Sequence, residues 1–256
     1  MKWLAMLLVV AGLAGCATQP GDLDGNQPQT LTRAQSIAKV HTELAAAYYE
    51  RNQYAVALEE LTTALQYEPD YAPAYNMRGL VHMQLLEDKE AEDDFQHSLR
   101  LAPNSSETHN NYGWFLCQRG REREAVQHFL AAVKNPLYST PERAYLNAGV
   151  CTEKTGDFKN AELYLRRALV LRPNMPEALA GLADVSYAQG DYAAAKAYFR
   201  RFEQWNNGPM SAANLWLGVR IERKVGDANA EASYAMQLRK NFPDARETQL
   251  MLQQAP

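Results

Sequence analysis

Ala57, Ala91 and Ala125 stand at intervals of 34 residues, and the same interval separates Gly79 from Gly113 and Pro69 from Pro103. A fixed period of this length marks stacked helical hairpins: one hairpin cannot bury its apolar face alone, but a row of them forms a continuous core. The chain therefore reads as an all-α, elongated binding scaffold and not as an enzyme.

The residues between these markers sharpen the reading. The tetratricopeptide template asks for a bulky residue, Leu-Gly and Tyr on a first helix, then Ala, an aromatic and Pro on a second. The first unit offers Leu44, Ala45 and Tyr48, then Ala57, Leu61, Ala64 and Pro69; the second offers Tyr75, Gly79 and His82, then Ala91, Phe95 and Pro103. Tyr112, Gly113, Ala125, Phe129 and Ala132 make a third unit, and Tyr145, Gly149, Ala161, Leu165, Ala168 and Pro173 a fourth. Leu182, Ala183, Ala195 and Phe199 mark a fifth, and Leu217, Gly218, Ala230 and Tyr234 a looser sixth. The expected fold is a right-handed superhelix of about six such repeats over residues 36–250, with 251–256 as a C-terminal tail.

Turns inside the hairpins are read at Asn52-Gln53, Gly120-Arg121, Gly156-Asp157, Gly190-Asp191 and Gly226-Asp227; the second unit has Leu86-Glu87-Asp88, without glycine or asparagine. Gly149 follows Gly113 by 36 residues, so the register slips, and the stretch holding Pro136 and Pro141 predicts a lengthened turn there. Small residues recur where two helix backbones must approach closely. A larger side chain at such a point overpacks the contact, at about 1 to 3 kcal/mol.

Location is written in the first residues. Met1 and Lys2 give a positive start, Trp3 to Leu13 an apolar run too short to span a bilayer, and Ala14, Gly15 and Cys16 a small-residue boundary. Residues 1–15 are thus expected to be a signal peptide. Leu13-Ala14-Gly15-Cys16 resembles the bacterial lipoprotein cleavage box, which implies that Cys16 is acylated and becomes the mature first residue. Two or more acyl chains, at about 0.8 kcal/mol per buried methylene, hold a protein on a membrane almost permanently. Ala17 stands where inner-membrane retention calls for Asp, so the lipoprotein sorting rule implies the outer membrane, periplasmic face. Residues 16–35 are read as the lipidated cysteine and a flexible polar tether.

Composition excludes other classes. Lys plus Arg number 26 against 30 Asp plus Glu, a net charge of -4, and removal of Lys2 with the signal peptide makes the mature chain one charge more acidic, so nucleic acid is not an expected partner. Histidines 41, 82, 97, 109 and 128 show no zinc spacing, and Glu92, Asp93 and Asp94 beside His97 point different ways on a helix and read as a solvated face. Without a phosphate-cradling glycine loop or a nucleophile elbow, no catalytic residue, metal, cofactor or small-molecule substrate is expected.

On each first helix one stripe faces the second helix, and the likeness to tetratricopeptide repeats implies that the stripe one residue on lines the concave side. That stripe holds Ala46 and Tyr49, then Asn76, Leu80 and Met83, then Asn110, Trp114 and Cys117, then Leu146, Val150 and Glu153. Asn111 and Asn147 add amides at a position where such repeats often carry Asn. The candidate protein-binding groove is therefore Tyr49, Asn76, Leu80, Met83, Asn110, Asn111, Trp114, Asn147 and Val150. Amides suit an extended peptide because each offers a donor and an acceptor, and Met and aromatic side chains give an adaptable floor. The competing reading is that both asparagines bond locally and that Trp114 and Met83 are core shared between repeats.

Cys117 and Cys151 fall on stacked first helices of the third and fourth units, and an oxidising periplasm favours a disulfide between them; two buried free thiols are the alternative.

The lipobox, the run Thr42-Glu43-Leu44-Ala45-Ala46-Ala47-Tyr48, the string Asn110-Asn111-Tyr112-Gly113-Trp114-Phe115-Leu116-Cys117 and the segment Tyr145-Leu146-Asn147-Ala148-Gly149 resemble the type IV pilus biogenesis lipoproteins of the PilF/PilW family. The resemblance implies a pilotin, an outer-membrane lipoprotein that binds secretin subunits and promotes their assembly, although some members are described by pilus stability instead. An adaptor for β-barrel assembly or for cell-wall enzymes would share the anchor and the repeats.

Overall fold

The computed structural model describes residues 31–254, and the expected signal peptide, the expected lipobox with Cys16 and most of the expected tether lie outside the described residues. Among the described residues thirteen α-helices and no strand are present. Six antiparallel pairs follow one another: α1 (Arg33–Glu50) with α2 (Tyr54–Tyr67), α3 (Ala72–Leu85) with α4 (Asp88–Leu101), α5 (Ser106–Gln118) with α6 (Glu122–Ala132), α7 (Pro141–Glu153) with α8 (Phe158–Leu171), α9 (Pro176–Ala188) with α10 (Tyr192–Trp205), and α11 (Ala212–Val225) with α12 (Ala228–Asn241). Each second helix packs on the next first helix, and the first helices also touch in series, α1 on α3 on α5 on α7 on α9 on α11. This is a tetratricopeptide-repeat superhelical solenoid.

The turns explain themselves residue by residue. Gly156 and Gly226 close their helices in the left-handed region, at φ 78° and 85°, where a side chain is strained. The aspartate that follows each one accepts a hydrogen bond from a backbone N–H of the next helix, Asp157 from Asn160 and Asp227 from Ala230. The Gly-Asp pair therefore ends one helix and starts the next. In the second unit Leu86 takes the same left-handed conformation, φ 62°, although it is 75% exposed and has no packing to hold it there.

Small residues sit where the helices nearly touch. A Cβ added at Gly113 would lie 2.8 Å from Phe129 and 3.0 Å from the Ala125 carbonyl, and one at Gly79 would lie 2.9 Å from Phe95. The aromatic or leucine of each second helix thus fills the space that the glycine of the first leaves free.

The connection from α6 to α7, Val133–Thr140, is longer than its counterparts, and Tyr138 within it is buried against Ala132 and Ala144. At this junction Cys117 on α5 and Cys151 on α7 are joined by a disulfide, with Cα atoms 5.9 Å apart, inside a core that includes Met83, Phe115 and Phe129.

Three features depart from the sequence reading. The helix α13 (Arg246–Gln253) runs through residues expected in part to be tail, and it buries Met251 with Leu215, Trp216 and Leu238, closing the solenoid as an unpaired first helix. A second longer connection, Asn206–Ser211, shifts the sixth unit. Finally, Glu92 and Asp94 do not form a solvated face. Asp94 is 6% exposed and accepts two hydrogen bonds of 2.7 Å from Arg78, while Glu92 accepts from the Tyr112 hydroxyl and from Arg121. Only Asp93 is exposed. Their partners lie 16 to 29 residues away, outside any local pattern.

Candidate protein-binding groove

The first helices carry the groove because their inner faces are the ones no second helix covers. Two amide contacts run across them. Asn111 on α5 donates from Nδ2 to Asn76 Oδ1 on α3 at 3.2 Å, and Asn147 on α7 donates from Nδ2 to Asn110 Oδ1 on α5 at 3.0 Å. The asparagines thus bond between repeats and not within a turn, which fixes their orientation and, among the described residues, leaves Asn110 Nδ2 and Asn147 Oδ1 without a hydrogen-bond partner.

Beside this second rung lies a cavity of about 290 Å³. Asn110, Asn111, Trp114 and Asn147 line it together with Leu146, Arg143, Arg172, Met175 and Glu177. Trp114 is half-buried with one side on the core and the other on the cavity. Four of the nine expected groove residues therefore converge on one place.

The other five do not. Met83 is 7% exposed and packs against the Cys117 and Cys151 core, so it is no part of a groove floor. The stripe rule fails there because adjacent first helices close over the last turn of α3. Asn76 is 9% exposed and serves as the acceptor for Asn111. Leu80 is half-buried against the two cores on either side of α3, and Val150 against the core shared by the fourth and fifth repeats. Tyr49 lies away from the cavity, where its hydroxyl accepts from Gln84 Nε2 at 3.0 Å.

Sequence reasoning missed Arg143, Arg172, Met175 and Glu177. Arg143 stands one turn before Asn147 on α7, whereas Arg172 and Met175 belong to the turn between α8 and α9, which no helical stripe includes.

Further along, the inner face becomes ionic. Arg220 on α11 donates to Asp184 on α9 at 3.0 Å and lies over the Tyr187 ring, 4.7 Å from its centroid. Burial, with Asp184 alongside, pushes Glu153 on α7 up to about 7.

A series of helical hairpins with an amide-lined inner groove defines a tetratricopeptide-repeat, protein-binding scaffold. Tetratricopeptide-repeat models match residues 45–85, 72–105, 95–127, 113–176 and 154–213. Among solved structures, that of PilW, a widely conserved type IV pilus biogenesis factor, is 34% identical over 84% of this chain and 98% of its own, with a TM-score of 0.77. The structure of Pseudomonas aeruginosa PilF is 27% identical over 88% of this chain and all of its own, with a TM-score of 0.80. The type IV pilus assembly protein PilF of P. aeruginosa is 29% identical over 244 residues, 95% of each chain. The chain belongs to the PilF/PilW family of type IV pilus tetratricopeptide-repeat proteins.

Proposed function

We propose that this chain is a pilotin: an outer-membrane lipoprotein, anchored through Cys16 on the periplasmic face, that binds secretin subunits of the type IV pilus machine and promotes their assembly. It acts as a scaffold without chemistry of its own. Membership of the PilF/PilW family carries the reading, and Leu13-Ala14-Gly15-Cys16 with Ala17 supports the anchor and its destination.

The physical mechanism is tethering. An anchored groove converts capture of a secretin segment into a local event at raised effective concentration, and the polar stretch after Cys16 sets the reach. Deleting the gene tests this. Secretin is expected to remain unassembled and pili to be lost, with complementation by the wild-type chain; normal secretin rings accompanied by general envelope defects contradict it.

A further inference from the structure

The cavity beside the asparagine rung has a charge that the rest of the chain does not share. Arg143 and Arg172 both line it, both are exposed, and neither forms an ion pair among the described residues. Arg78, Arg119, Arg121 and Arg220, which also lie on or beside first helices, are each held by a carboxylate. Glu177 is the one carboxylate lining the same cavity, so its walls carry a net positive charge in a chain whose own net charge is -4.

The polar atoms left free have a direction as well. Asn147 spends Nδ2 on Asn110 Oδ1, which leaves Asn110 Nδ2 to donate and Asn147 Oδ1 to accept. That pair suits the C=O and N–H of an extended backbone. Trp114, Leu146 and Met175 supply apolar contact next to it. A cavity of about 290 Å³ is at the small end of ligand sites and admits a short stretch of chain, not a folded domain.

We infer that this cavity recognises an extended segment of the partner protein that carries an acidic side chain beside an apolar one: the carboxylate is held by Arg143 and Arg172, the backbone by Asn110 and Asn147, and the apolar side chain by Trp114, Leu146 and Met175. Guanidinium forks match carboxylate geometry, and such charge-assisted bonds are about twice as strong as neutral ones. The excess of guanidinium over carboxylate in the cavity wall selects an acid, and the inference commits to one carried on a side chain within the segment. This inference rests on the groove reading and specifies what the groove selects.

The test is fluorescence anisotropy on the full-length lipoprotein in detergent, with labelled, end-blocked peptides that alternate Leu with Glu or Leu with Gln. The Leu-Glu peptide is expected to bind at least about tenfold more tightly, the difference made by one charge-assisted contact. Combining Arg143→Gln with Arg172→Gln is expected to erase that difference while leaving the melting temperature unchanged. Equal affinities, a difference that survives the double substitution, or no binding of the Leu-Glu peptide overturns the inference. A Leu-Gln peptide with a free C-terminus that outbinds the blocked Leu-Glu peptide overturns it in favour of chain-end recognition. Trp114→Glu separates the two levels: if Leu-Gln binding occurs and is lost in this variant while charge plays no part, the groove stands and the acid selectivity falls.

Discussion

Gly149 and Leu165 are packed so closely that a Cβ on the glycine would lie 2.6 Å from the leucine Cγ. Real side chains do not approach that far, so either Leu165 leaves its rotamer or α7 moves from α8. Gly149→Ala is expected to destabilise the protein by about 1 to 3 kcal/mol in urea unfolding. Gly156, a few residues on, has open space around it and a φ of 78°, so Gly156→Ala costs only the left-handed backbone strain, about 1 kcal/mol. A Gly149→Ala variant as stable as the wild type contradicts the close approach.

Leu86 offers the opposite case. Its left-handed backbone, φ 62°, carries strain that its exposed side chain does nothing to offset. Leu86→Gly relieves this, less the entropy that glycine adds to the unfolded chain, and is expected to raise stability by about 0.5 to 1 kcal/mol. A lower urea midpoint for Leu86→Gly contradicts the geometry.

The pH dependence of stability has two opposed parts. Burial and neighbouring Asp184 push Glu153 up to about 7 from an ordinary 4.5, so the folded chain holds a proton that the unfolded chain releases. Stability from this group is fully present below 4.5 and lost as pH rises through 7. Glu153→Gln keeps the neutral form and is expected to gain about 2 kcal/mol over the wild type at pH 8 and little at pH 4. His109 and His128 act in the other direction. His109 donates from Nε2 to the Pro103 carbonyl and accepts from His128 Nδ1 at 2.9 Å, and burial lowers both from 6.5. Their contribution is present above 6.5 and lost as pH falls through the lower folded values. Urea midpoints from pH 4 to 8 check both, and an unchanged profile for Glu153→Gln contradicts the assignment.

The disulfide closes a segment of 34 residues between repeats that the long α6–α7 connection holds less regularly. Cys151→Ser is expected to cost about 2 to 4 kcal/mol. Under denaturing conditions Cys117 and Cys151 are expected to resist alkylation until reductant is added. Full labelling without reductant contradicts the bond.

How much of this was legible in the sequence follows from range. The hairpins and their turns depend on residues near one another: Gly226 ends α11 and Asp227 starts α12, and both are visible in the string. The close contacts are visible through their period, since Gly113 and Phe129 repeat one unit after Gly79 and Phe95. The helix α13 escaped because half a repeat has no second helix to complete the pattern. The groove was legible only where a single stripe sufficed, as at Asn110 and Trp114. Met83 was misplaced because exposure at the end of a helix depends on how the next helix tilts over it, and Arg172 and Met175 were missed because a turn, not a helix, delivers them.

Copurification of secretin with the full-length chain from detergent-solubilised membranes, compared between wild type and Trp114→Glu, tests the proposed capture of secretin most directly. Trp114 lines the cavity while remaining half-buried, so a charge there is expected to abolish capture without unfolding the solenoid; Leu80→Glu is a poorer probe because Leu80 packs against two cores. Secretin subunits are expected in the wild-type eluate and are expected to be lost from that of a Trp114→Glu variant of unchanged helicity. Secretin absent from the wild-type eluate, or equally abundant in both, contradicts it.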